Sequence, residues 1–212
     1  MVERASTILK RYTSLSVAID TLMSERLTLL SPRLWQDKND IAFMEGYCRA
    51  KRLGGVVAAC FTQATETYHH WGVFADSSEG VRLDFDKEAL LDSLRSDGRY
   101  VWGDVQYLTL KQIAARSIAA DELPFLKRHA FRDEQEFRLL YQSDDPAAAF
   151  HHIPIRRSWV KGITLSPWLP ENLIDPVKQA LRALPGCAQI RLQRTNLRDH
   201  AEWKRAIERA TP

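Results

Sequence analysis

The residues Val56–Thr62 (VVAACFT) form an uninterrupted apolar run of strand length. Such a run reads as a strand buried on both faces. The pieces around it are short and change period repeatedly. Ile8–Tyr12 and Leu27–Leu30 read as strands, and Ser14 or Ser16 caps a helix through Val17, Ile19, Leu22 and Met23. Asn39–Lys51 reads as a helix closed by Gly54 and Gly55. Val81, Leu83 and Phe85 alternate with Arg82 and Asp84, as in a half-buried strand, and Asp86 starts a short helix through Leu94. Tyr100–Tyr107 is strand-like, Thr109 to about His129 helical, and Phe137, Leu139 and Tyr141 alternate again. Val160–Leu165 and Ile190–Leu192 add strands, with helices over Pro170–Leu184 and Arg198–Ala210.

This mixture predicts an α+β fold, with mixed or antiparallel central sheets and flanking helices. It has neither a regular βαβ rhythm nor a GxGxxG or P-loop, which argues against a doubly wound nucleotide fold. No repeat or Gly/Ser/Pro linker divides the 212 residues, so one domain over 1–212 is expected. With 45% hydrophobic and 27% charged residues the chain can bury a core. A net charge of +3 excludes a strongly basic nucleic-acid coat but not a local basic patch. Cys48, Cys60 and Cys187 are too sparse for a disulfide scaffold and indicate a reducing compartment. The opening MVERASTILKRY has no apolar core of a secretory leader, and no stretch nears the ~18–20 apolar residues of a membrane span. The expected location is the cytoplasm, with no membrane partner.

Four clusters carry candidate chemistry. Lys10-Arg11-Tyr12 places cations beside an aromatic at a strand end, which suits a phosphate or a ring; surface charges flanking a core tyrosine are the plainer alternative. Asp37 and Asp40, three apart beside Trp35, share a helix face or cap it, and are a poor metal site by themselves. Thr62 ends the apolar run, and His69-His70-Trp71 follows; adjacent histidines chelate one metal poorly, so His70 and Trp71 read as helix packing or a pocket wall. Cys60, inside the run, reads as an inert thiol. Glu134, Glu136 and Arg138 fall on one face of a strand, as an ion-pair row or as a catalytic acid with an orienting cation.

KRYTSL, LTLLSPRLWQDKND, ACFTQ, HHWGVFADSSEGVRLDF, DEQEFRLLY and VKGITLSP, in this order, resemble the bacterial family catalogued as domain of unknown function 2971. Lys38, Thr62 and Phe74 depart from that family's usual Pro, Ser and Tyr. The layout also resembles, at fold level, the ADP-ribosyltransferase toxins that modify nucleic acid. That resemblance implies NAD as co-substrate, no metal, Glu136 as catalytic acid residue and Glu134 as general base. It further implies Arg11, Tyr12, Phe61, Thr62 and Trp71 around the cofactor. The acceptor would be a nucleic acid or a protein, and the partner a cognate antitoxin or defence-system component. Two other classes stay open. One is a non-catalytic nucleic-acid- or protein-binding module using Arg191, Arg194, Arg198, Lys204, Arg205 and Arg209, although Asp199, Glu202 and Glu208 interleave with these bases. The other is a metal-dependent nuclease using Asp37, Asp40, Glu134 and Glu136.

Overall fold

The computed structural model describes residues 6–210; part of the opening segment read for a leader, residues 1–5, lies outside them. The chain runs β1 (Ile8–Ser14), α1 (Leu15–Ser24), β2 (Arg26–Leu30), α2 (Lys38–Lys51), β3 (Gly55–Thr62) and α3 (Tyr68–Phe74). Then come β4 (Gly80–Asp86), α4 (Lys87–Asp92), β5 (Tyr100–Asp104), β6 (Gln106–Leu108), α5 (Leu110–Ala114) and β7 (Leu126–Arg128). It closes with β8 (Glu136–Ser143), β9 (Phe150–Pro154), β10 (Val160–Leu165), α6 (Glu171–Ala183), β11 (Arg191–Arg194) and α7 (Ala201–Ala210). The fold is α+β, as the alternating periods predict.

Nine strands make one sheet, and β3 is its hinge. One edge of β3 carries β8 along its whole length, with β5 beyond. The other edge is shared, because Thr62 meets Lys10 of β1 while Ala58 meets Leu30 of β2. The sheet therefore forks. One arm continues from β1 through β4 and β10 to β11; the other continues from β2 to β9. All these pairings are antiparallel except β10 with β11. Arg11 closes the root of the fork: both its Nη atoms donate to the Thr28 carbonyl, 3.2 Å away.

The pleat of β3 sorts its side chains. Val57, Ala59 and Phe61 enter the main core with Leu22 of α1, Leu90 of α4 and Leu181 of α6. Val56 and Ala58 pack beneath α2 with Met44 and Leu140. This two-sided burial is what an unbroken apolar strand demands. Local capping sets the helix starts. Ser14 Oγ accepts from Val17 N, Asp37 Oδ1 from Asn39 N and Asp86 Oδ1 from Ala89 N.

Four sequence expectations change. Helix α2 is closed by Arg52 in the left-handed region (φ 56°), not by glycine. Strand β4 is buried on both faces, because Arg82 and Asp84 neutralise each other and bond Glu66 and Arg191. The helix expected over 109–129 ends at Ala114; a 3-10 turn containing Pro124 follows, and the chain becomes β7, paired parallel with β6. Pro124 supplies no N–H for an α-helical bond, so the 120–125 turn does not continue as an α-helix into Lys127. The strand-like stretch Tyr100–Tyr107 is two strands, β5 and β6. Gly54 serves close packing instead, since a methyl there would overlap the Asp144 carbonyl. Gly54→Ala is expected to destabilise by about 1–3 kcal/mol in urea unfolding, and an unchanged midpoint would contradict that packing.

Candidate active site

A cleft of about 420 Å³ opens where the two arms diverge. Strand β1 brings Lys10, Arg11 and Tyr12 to it, and β3 brings Cys60, Phe61 and Thr62. The start of α2 brings Asp37 and Asp40, and the turn into β8 brings Glu134 and Glu136. Four clusters distant in sequence thus meet on one wall system.

The acidic end is an ionic network. Arg138 grips Glu136 through Nε to Oε1 (2.8 Å) and Nη2 to Oε2 (2.9 Å). The same guanidinium donates to Asp40 Oδ2 and to the Pro124 carbonyl. Lys127 Nζ lies 2.5 Å from Glu134 Oε2, 3.3 Å from Glu136 Oε2 and 3.5 Å from Asp40 Oδ2. Three carboxylates meet two cations, leaving one formal negative charge beside the cleft when all are ionised. Glu134 and Glu136 converge as the spacing predicts, but a left-handed Gln135 between them (φ 42°) does part of that work. Tyr107 Oη accepts from Glu136 N at 2.8 Å and anchors the strand start.

Burial alone would raise the Glu136 carboxyl, yet the Arg138 charge and hydrogen bonds, with Lys127, hold it down at about 2. Glu134 and Asp40 go the other way: burial lifts both above the usual carboxylate range despite their cations. Burial likewise raises the Cys60 thiol, next to Glu136, well above its ordinary value, consistent with an inert thiol. A carboxyl depressed from 4.5 to about 2 stabilises the fold above pH ~4.5, and that contribution vanishes as pH falls towards 2. Its size is about 3 kcal/mol. Glu134 and Asp40 act with the opposite sign, since their ionisation in the fold opposes stability as pH rises past ordinary carboxylate values. Urea midpoints measured from pH 7 down to 2 should therefore fall more steeply in the native chain than in Arg138→Met, where Glu136 has lost its clamp; parallel falls would contradict the assignment.

The other expected residues divide. Tyr12 lies on the cleft wall, stacked on His70 (5.5 Å between centroids) and edge-on to Trp71. Its Oη is buried without a hydrogen-bond partner, as is Asp37 Oδ2 on the facing wall. Burial pushes the phenol up to about 12, with the nearby Arg82 guanidinium opposing the rise. Thr62 Oγ1 donates to the Glu134 carbonyl (2.5 Å) and accepts from Ala64 N, so it fixes the 134–135 turn, not the Glu136 carboxylate. Phe61 borders the cleft, but its ring packs edge-on against Phe85 in the main core. Trp71 is fully buried behind Tyr12 and donates Nε1–H to Glu66. Both cations of β1 line the cleft and both are engaged by backbone carbonyls, Arg11 by Thr28 and Lys10 Nζ by Ala64 (2.5 Å).

Sequence reasoning missed Lys127, hidden inside the expected long helix; Pro124, three residues earlier, is the signal that could have exposed it. It also missed the aromatic cover. Trp35 lies 5.0 Å from the Arg138 guanidinium, and Phe131 lies 4.9 Å from Lys127 Nζ. Of the nuclease carboxylates Asp40, Glu134 and Glu136 converge, with the Lys127 ammonium between them, whereas Asp37 caps α2; among the described residues no group of acids, His or Cys is arranged to hold a metal. Of the basic residues near the C-terminus, Arg191 bonds the buried Asp84, Arg194 donates to the Pro167 carbonyl and Lys204 pairs with Asp199, while the side chain at 208 lies outside the described residues. Among the described residues no helix is long and apolar enough to cross a membrane.

No family model matches the chain, and no curated protein matches it. Solved structures similar to it are those of DarT from Thermus sp. 2.9. With carba-NAD+ bound, that protein is 13% identical at a TM-score of 0.44, covering 91% of this chain and 97% of DarT. The NAD+ complex is 11% identical at 0.46, covering 92% and 98%. The complex with ADP-ribosylated ssDNA is 12% identical at 0.45, covering 89% and 94%.

Proposed function

We propose that the forked-sheet cleft binds NAD as a substrate and that the protein is an ADP-ribosyltransferase-like enzyme. The observation that carries this reading is a deeply buried carboxylate, Glu136, clamped by Arg138 and Lys127 on the wall of a small-molecule-sized cleft. In the reaction, the bond between ribose C1′ and the nicotinamide nitrogen breaks. Its electron pair leaves with nicotinamide, which becomes neutral, and positive charge develops on the ribose. The excess negative charge of the network stabilises that charge without attacking it. Glu134, held protonatable above the ordinary range, takes the proton of the acceptor nucleophile as the new C1′ bond forms. Lys10, anchored by the Ala64 carbonyl, offers its remaining N–H donors to the phosphates, while Tyr12 and Trp35 supply stacking surfaces.

The acceptor on this reading is a nucleic acid or a protein, and an effector role with an antitoxin or defence partner is its extension. Incubation with NAD and measurement of free nicotinamide tests the proposal: release supports it, and absence of NAD binding at millimolar concentration overturns it. A second reading, a binding module, is favoured by one feature. The bidentate Arg138 clamp is also what a purely structural ion-pair strand would carry. NAD binding without nicotinamide release, with or without acceptor, would select that reading.

A further inference from the structure

On the other side of α2 lies a second cavity of about 460 Å³, walled by the 31–33 turn, α2, the start of β3 and the turn at Pro146. Three guanidiniums line it: Arg33, Arg49 and Arg52. Basic residues at a helix C-terminus complement the helix dipole, and Arg49 has that explanation available. Arg33 does not, because it precedes the helix. Lys51, in the same last turn, shows the ordinary outcome by pairing with Asp121. Among the described residues, none of the three arginines pairs with a carboxylate. Among the described residues the one side-chain bond of Arg33 is Nη1 to the Pro146 carbonyl at 3.3 Å, which sets its guanidinium on the cavity rim with most donors free. Arg52 takes the left-handed cap of α2, a conformation costing a side-chain-bearing residue about 1–2 kcal/mol. Glu45 is the single acid on the wall, and Asp145 nearby is engaged by Ala147 N. The floor is apolar, made by Ile41, Met44 and Val56.

Unpaired guanidinium forks around an apolar floor match a phosphate ester carrying a flat base. We infer that this second cavity binds one nucleotide unit, its phosphate on Arg33, Arg49 and Arg52 and its base over the apolar floor. The unit is either a free nucleotide or one residue of a nucleic-acid strand, and the inference stands independently of the NAD reading. The test is calorimetric titration of the full chain with adenosine monophosphate, a short oligothymidylate and inorganic phosphate. Saturation by the mononucleotide identifies a free nucleotide; saturation by the oligonucleotide alone identifies a strand. In either case Arg33→Gln with Arg49→Gln should weaken binding roughly tenfold or more. Glu45→Gln should tighten it, and Tyr12→Ala, in the cleft, should leave it unchanged. Arg33, Glu45 and Arg49 are exposed and Tyr12 is half-buried, and circular dichroism verifies that every variant folds. The inference is overturned if no ligand binds, if phosphate alone binds as tightly as the nucleotides, if the folded arginine variants bind normally, or if Tyr12→Ala removes the binding.

Discussion

Glu136→Gln is expected to lower nicotinamide release from NAD by about a hundredfold to a thousandfold, the effect of deleting one preorganised electrostatic group at a reacting centre. The change is isosteric, so Arg138 can still donate to the amide oxygen, and the fold survives. Stability does not stay untouched, since one member of a buried, charge-assisted pair becomes neutral; a loss of about 1–3 kcal/mol is expected. Turnover must therefore be compared well below the melting temperature of both proteins. Unchanged release from a folded Glu136→Gln protein would remove Glu136 from the chemistry.

Arg138→Met is expected to have the largest effect on stability. Arg138 is fully buried and donates to Glu136, Asp40 and the Pro124 carbonyl at once. Its removal leaves Lys127 alone against three carboxylates. Breaking a buried pair from one side costs about 3–5 kcal/mol, because the partner stays buried and uncompensated. The urea midpoint should fall sharply with the slope unchanged. Arg138→Lys should recover only part of the loss, since one ammonium cannot reproduce a planar fork reaching three acceptors. A midpoint shift equivalent to less than about 1 kcal/mol would show that the network is bypassed by water.

What the sequence reveals here is what depends on neighbours along the chain. Val56–Thr62, the cap at Asp86 and the alternation at Phe137–Tyr141 are local patterns, and each forms the element it predicts. The pairing of Glu136 with Arg138 is equally local, two residues apart on one strand face. The fork is not. Arg11 reads as a free phosphate ligand until β2 is brought beside β1, and then a carbonyl takes its guanidinium. Arg82 and Asp84 read as a solvated face because nothing local reveals Arg191 and Glu66. Strand β9 escaped notice because its two histidines break the apolar alternation; they are accommodated by Thr28 and Tyr100, both remote in sequence. The candidate site was thus legible as residue types, while which of them face the cleft was set by tertiary pairing.

The most direct measurement is NAD titration of the isotope-labelled chain, followed by NMR on the six indole N–H signals. Trp35 lines the cleft, whereas Trp203 is 82% exposed on α7. A NAD site in the cleft predicts a saturable shift of the Trp35 signal, with Trp203 unmoved, and free nicotinamide accumulating in the same tube. No shift of Trp35 at millimolar NAD, or a shift confined to Trp203, would contradict it.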